Sequence, residues 1–148
     1  MDHKEDSFHL GVKALIHNNA GKLLLLQLNT KEPKSTKGTW DIPGGRVQKN
    51  ESLEAALRRE VYEETGLHVV HMTPFVMALS NIRIPVQSGD VGLIFAIYLC
   101  DIIGDSPITL GSEHTHFDWF EPSRAVELLT ANYPLELTEK LARWRLNG

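Results

Sequence analysis

The stretch GRVQKNESLEAALRREVYEETGL, residues 45–67, decides how the rest of the chain is read. From Glu51 to Thr65 it has the marks of a helix. Asn50 or Ser52 can cap it, acidic Glu51 and Glu54 suit its positive end, and Gly66 fits the left-handed position just past its end. At 100° per residue, Glu60, Glu63 and Glu64 fall at about 0°, 300° and 40°, so three carboxylates share one narrow face. Leu53, Ala56, Leu57 and Val61 lie on much the same side, and the carboxylates continue the stripe that should enter the core. Five glutamates between residues 51 and 64 meet only Arg58 and Arg59, a local balance of −3. Like charges three and four residues apart weaken a helix, and burying them costs more. A divalent cation on that face removes the conflict. Clustered carboxylate oxygens suit a hard ion such as Mg2+, held at about 2.0–2.1 Å with several waters retained.

Outward from this helix, the chain reads as strands grouped around two or three helices. Trp40-Asp41-Ile42 is a short strand running into the sharp turn Pro43-Gly44-Gly45. Upstream, His9–His17 and Lys22–Leu28 flank the turn signal Asn18-Asn19-Ala20-Gly21 and predict a hairpin. Residues 29–39 carry Pro33, Gly38 and several lysines and read as an exposed loop. Downstream, Leu67–Leu79 is β-rich, with Pro74 arguing against one unbroken strand. Asn81–Asp90 reads as a loop, Val91–Cys100 as a central buried strand, and His116–Phe120 as a further short strand. Pro122–Leu129 and Leu135–Leu146 predict two helices, the second amphipathic. Trp40, Trp119, Phe120 and Trp144 are read as core residues.

Composition fits one mixed α/β domain over residues 1–148, with residues 1–7 as a polar, flexible tail. The net charge of −4 argues against a duplex-nucleic-acid partner, which calls for a basic stripe. No apolar run approaches the ~20 residues of a membrane helix. The tail does not resemble a signal peptide, so a cytoplasmic location is expected. The lone Cys100 cannot form an internal disulfide and reads as a buried, inert thiol.

Gly45, Glu51, then Arg59-Glu60-Val61-Tyr62-Glu63-Glu64-Thr65-Gly66-Leu67 resembles the Nudix box in full, with every defined position filled in register. At roughly one in fifteen per fixed position, its seven fixed identities recur by chance about once in a million chains this long, so accident is set aside. The resemblance implies an α/β/α sandwich with a mixed sheet. It also implies Mg2+-dependent hydrolysis of a phosphoanhydride bond in a small nucleotide-like substrate, with Mn2+ as an alternative ion. By the same resemblance Glu60, Glu63 and Glu64 hold the metal with the Gly44 carbonyl. Glu51 sits near the helix start and either orients Arg59 or reaches the metal through water, and Arg59 holds Glu63. Gly45 and Gly66 shape the backbone. Glu60 is one candidate for the general base; Glu113, in the loop Gly111–His116, is the first choice outside the box, with His114 and His116 behind it. Arg46 is placed to touch a phosphate. The implied substrate is a (d)NTP or an oxidised dNTP. Pro85, 18 residues after Leu67, leaves ADP-ribose or a nucleotide sugar as the alternative, and a non-catalytic nucleotide sensor is the other reading. The family also allows a homodimer.

Overall fold

Strand β7 (Gly89–Ile102) is the one on which the rest is assembled; the structure, a computed structural model, describes residues 4–29, 39–104 and 106–146. The expected loop at residues 29–39 lies, for residues 30–38, outside the described residues. β7 pairs in parallel with β1 (Phe8–Ile16) and antiparallel with β5 (Val69–Leu79). Along the other edge of β1 runs the short β4 (Gly44–Arg46), giving the order β4-β1-β7-β5. One parallel pair among antiparallel ones makes the sheet mixed, as expected. A second, antiparallel sheet has the order β3-β2-β8, from Trp40–Asp41, Leu23–Leu28 and His114–Phe120.

Period-two alternation divides the apolar residues between two cores. Val12, Ala14 and Ile16, with Leu24 and Leu26, meet Ala56, Leu57 and Val61 of α1 (Leu53–Thr65). Leu15, Leu23 and Leu25 meet Ile97 and the leucines of α2 (Pro122–Leu129) and α3 (Leu135–Arg143). Helices therefore cover the strands on both sides, and the fold is an α/β/α sandwich. The tryptophans behave as read. Trp40 meets Phe120 edge-on at 5.1 Å, Trp119 is packed against the α1 core, and Trp144 against the other core and His17.

Four expectations change. The turn at Asn18–Gly21 forms, with Asn18 N–H bonded to the Lys22 carbonyl, but no hairpin follows. Only His17 and Leu23 bridge, after which β1 and β2 enter different sheets. Each strand is instead paired along both edges within its own sheet, β1 by β4 and β7 and β2 by β3 and β8, which leaves neither an edge for the other. Pro74 does not interrupt β5, because β5 is an edge strand whose register slips between Pro74 and Val76. The expected loop 81–90 contains β6 (Ile84–Val86), folded back on the start of β7. The final helix ends at Arg143, short of Leu146. At the other terminus, Asp6 pairs with Arg83 and the Ser7 carbonyl accepts from Gly92 N–H, so both residues are engaged.

Candidate active site

The acidic helix meets the sheet edge at two glycines. Gly44 and Gly45 lie opposite Lys13 and Val12. Gly44 has φ 151°, and a Cβ there would lie 2.0 Å from the Val12 carbonyl oxygen. A Cβ on Gly45 would lie 2.5 Å from the Glu60 carboxyl carbon. Glycine at 44 lets the backbone lie directly on β1, and glycine at 45 lets it meet the Glu60 carboxylate with nothing between. Ser52, rather than Asn50, caps α1 by accepting from Ala55 N–H, and Gly66 closes the helix at φ 74°.

Arg59 is the hub of that face. Its Nε and Nη2 grip both oxygens of Glu51 at 2.7 and 2.9 Å, its Nη1 reaches Glu60 at 2.8 Å, and Nη2 donates to the Arg46 carbonyl at 3.3 Å. Its contact with Glu63 is longer, 3.4 Å. The Glu51 carboxylate is thus paired at both oxygens with Arg59. The Arg59 guanidinium, helped by Gln48 N–H, holds the Glu51 carboxyl down at about 2.

Glu64, one turn on from Glu60, is buried. It accepts from Gly44 N–H at 3.3 Å. Burial pushes its carboxyl up to about 8, against the opposing pull of Lys13. Lys13 is itself buried and donates to Asp41 at 3.1 Å and to the Ile42 carbonyl at 3.2 Å. The other Asp41 oxygen accepts from the Tyr133 hydroxyl and from Ile42 N–H. Lys13, Asp41 and Tyr133 thus form a hydrogen-bonded polar chain whose lysine charge acts on Glu64.

A cleft of about 670 Å³ opens in front of it, lined by Glu60, Glu113, Gly45 to Gln48 and Phe8 to Leu10. The structure therefore brings Glu60, Arg46 and Glu113 together. The segment before Glu113 is tied to the end of α1: Thr109 N–H donates to the Thr65 carbonyl and Gly111 N–H to that of Glu64. His114 and His116 are not loop residues but the start of β8. His114 is buried with an unbonded Nδ1, and burial lowers its pKa; His116 is exposed and bonded to Thr115. Neither lines the cleft. Pro85 sits in β6 opposite Asp90 and does not line it.

The model of the NUDIX domain matches residues 7–141. The chain belongs to the Nudix family. This makes it a hydrolase of the pyrophosphatase type, acting on nucleotide-linked phosphoanhydride bonds. It is 29% identical over 132 residues to a MutT-like protein of Streptomyces ambofaciens, covering 89% of this chain and 76% of that one. It is 30% identical over 95 residues to nucleoside triphosphatase NudI of Escherichia coli K12, covering 60% of this chain and 66% of that one. Among solved structures, the MutT protein of Methanosarcina mazei Go1 superimposes with TM-score 0.63 at 27% identity, over 95% of each chain.

Nudix enzymes generally need a divalent metal, and the donor set here fits one. Among the described residues no three His, Cys, Asp or Glu side chains close on one point. Mg2+ does not ask for such a cage: it keeps several waters and takes one or two carboxylates, with substrate phosphates completing its shell. A buried carboxyl at Glu64 and an adjoining one at Glu60 answer that description. The residues that sequence reading passed over in this Nudix site are Lys13, Asp41, Tyr133, Phe8 and His9. A lysine in a strand reads as solvent-facing, and nothing local announces a tyrosine 92 residues from its partner.

Proposed function

We propose that this chain is a Mg2+-dependent pyrophosphohydrolase of nucleoside triphosphates, ordinary or oxidised. The observation that carries it is the cleft in which Glu60, Glu113 and Arg46 converge beside the buried Glu64. The names of two relatives, a MutT-like protein and nucleoside triphosphatase NudI, support the triphosphate class. Glu60, Glu63, Glu64 and the Gly44 carbonyl would hold the metal, which when bound neutralises phosphate charge and acidifies water.

Arg46 lies where it can pair with a phosphate oxygen. Arg59 keeps Glu60 in one rotamer by occupying Oε1, leaving Oε2 for the cleft. Glu113 carries no ion pair among the described residues, so its carboxylate is free to take the proton from the attacking water.

The test is release of phosphate or pyrophosphate from a panel of dNTPs, oxidised dNTPs, ADP-ribose, dinucleoside polyphosphates and nucleotide sugars, with and without Mg2+, for wild type and Glu63→Gln. Mg2+-dependent turnover of triphosphates, lost in the variant, is expected. Full activity in Glu63→Gln removes the metal assignment. Turnover of ADP-ribose alone moves the chain to that branch, and tight binding without turnover moves it to the sensor class.

A further inference from the structure

A strand at the rim of a sheet carries unpaired main-chain groups, and chains ordinarily blunt such an edge because it templates another strand. β5 is the outermost strand of the larger sheet, at the end away from β4. Its first half is blunted. Pro74 has no N–H to offer, and the register slips between Pro74 and Val76. Lys140 of α3 donates to the Phe75 carbonyl at 2.6 Å, with its ammonium 4.8 Å from the centre of the Phe75 ring. Beyond Val76 the protection stops.

The ladder fixes what the rest of the edge offers. Ser80 N–H donates at 2.9 Å to the carbonyl of Leu93, one step on from the Leu79–Ile94 pair. Hydrogen-bonded pairs alternate along an antiparallel ladder with pairs that are not bonded. Val76 and Ala78 therefore bond to β7, while Met77 and Leu79 turn N–H and C=O away from the sheet. Among the described residues those groups have no partner. The side chains are equally uncommitted. Met77 lies opposite Ala96 and Leu79 opposite Ile94, on the α1 face, yet α1 does not cover them: they are 62% and 54% exposed. A sheet face turned to water normally carries polar residues at such positions.

We propose that residues 77–79 are where a second copy of this chain joins the sheet, antiparallel about a two-fold axis through Ala78. Self-complementary register is the reason for a copy rather than a foreign strand. The axis sets Met77 against Leu79 of the partner subunit, and Leu79 against Met77 of the partner subunit. Both are bonded pairs, so every outward N–H finds a carbonyl. The apolar side chains of the two copies meet on the α1 face, and Ala78 faces its own image on the other. Residues 76–79, Val-Met-Ala-Leu, carry no charge to repel that image. One patch serving both partners is what an isologous interface requires. The catalytic cleft lies at the β4 edge, so pairing leaves the two clefts open at the outer ends of one continuous sheet. The pairing does not depend on which nucleotide the cleft accepts.

The test is sedimentation equilibrium of the full chain and of three variants. A ladder this short makes a small, weak interface, so wild type should dimerise reversibly with Kd about 10–100 µM. Met77→Lys sets a charge against Leu79 of the partner subunit and should weaken association at least about tenfold. Adding Leu79→Glu places glutamate opposite lysine in both pairs and should regain about fivefold, whereas adding Leu79→Lys should regain nothing. Melting temperature and turnover per site in dilute protein should match wild type throughout, since both positions are exposed and outside the cleft. Amide exchange at Met77 and Leu79 should slow with rising concentration in wild type only. A wild type still monomeric at about 300 µM overturns the proposal. So does a dimer that Met77→Lys leaves intact, or a Lys–Glu variant that associates no better than the Lys–Lys one.

Discussion

Replacing Glu64 by Gln should make the metal-free protein more stable at alkaline pH, although it removes a proposed metal ligand. The Glu64 carboxyl is raised from 4.5 to about 8, burial being the main cause. Between those limits the folded chain keeps a proton that the unfolded chain has released, so stability falls as pH rises and levels off above about 8. At about 1.4 kcal/mol per pH unit, that interval caps the loss at roughly 5 kcal/mol, and local relaxation makes the realised value smaller. Only the part of that interval above pH 5.5 counts between pH 5.5 and 8.5, so at roughly 3 °C per kcal/mol for a chain this long the wild type should melt some 5–10 °C lower at pH 8.5 than at pH 5.5 on this account. Thermal unfolding in EDTA across that range, for wild type and Glu64→Gln, measures it directly. The variant should lack most of the slope and overtake wild type near pH 8. Mg2+ should then raise the melting temperature of wild type and not of the variant, because a carboxylate must lose its proton to bind metal. Parallel pH profiles for the two proteins would refute the assignment of Glu64 as a carboxyl buried and protonated in the metal-free state.

Gly45→Ala should fold nearly normally yet lose at least about tenfold in kcat, because its Cβ displaces the mobile end of Glu60 rather than backbone; turnover measured beside a melting curve separates the two effects. Arg59→Ala should lower kcat about ten- to a hundredfold with little change in KM, and Arg59→Lys should not restore it, since a lysine cannot grip both Glu51 oxygens. The same variant should flatten the acid limb of the metal-free stability curve. Glu51 is held down at about 2, so its contribution is present above pH 4.5 and lost on acidification toward 2 only while Arg59 is there. Lys13→Met should cost about 2–4 kcal/mol by leaving Asp41 without its cation, and adding Asp41→Asn should recover more than half, as urea unfolding of the single and double variants would show.

How much could be read beforehand depends on the distance over which each feature is decided. The helix, its Gly66 end and its acidic face are all decided within 23 residues and stand where the periodicity puts them, although the helix begins at Leu53 after its Ser52 cap rather than at Glu51. The central burial of β7 follows from its unbroken apolar run. Pairing choices do not announce themselves in this way. The Asn18–Gly21 turn reverses the chain, but the strand that β1 pairs with in full, β7, lies more than seventy residues downstream and not across the turn. Glu113 could be suspected from its place before a strand, whereas His9 and Phe8 could not. Both line the cleft because β4 ends at Arg46, opposite Gly11, a fact of register rather than composition.

The last turn of a helix ordinarily frays, since its final carbonyls have no partners. Here Glu63 and Glu64 sit in that turn, and the carbonyls of Glu64 and Thr65 accept from Gly111 and Thr109, contributed by a segment more than forty residues downstream. A Cβ on Gly111 would lie 2.8 Å from the Glu63 carbonyl, so the segment lies directly against the helix end. The entropy of ordering the acidic turn is therefore spent when the domain folds, before any cation arrives. Binding then has only desolvation and repulsion to settle, and Glu113, carried on the segment that clamps the turn, shares one rigid frame with the carboxylates it faces across the cleft.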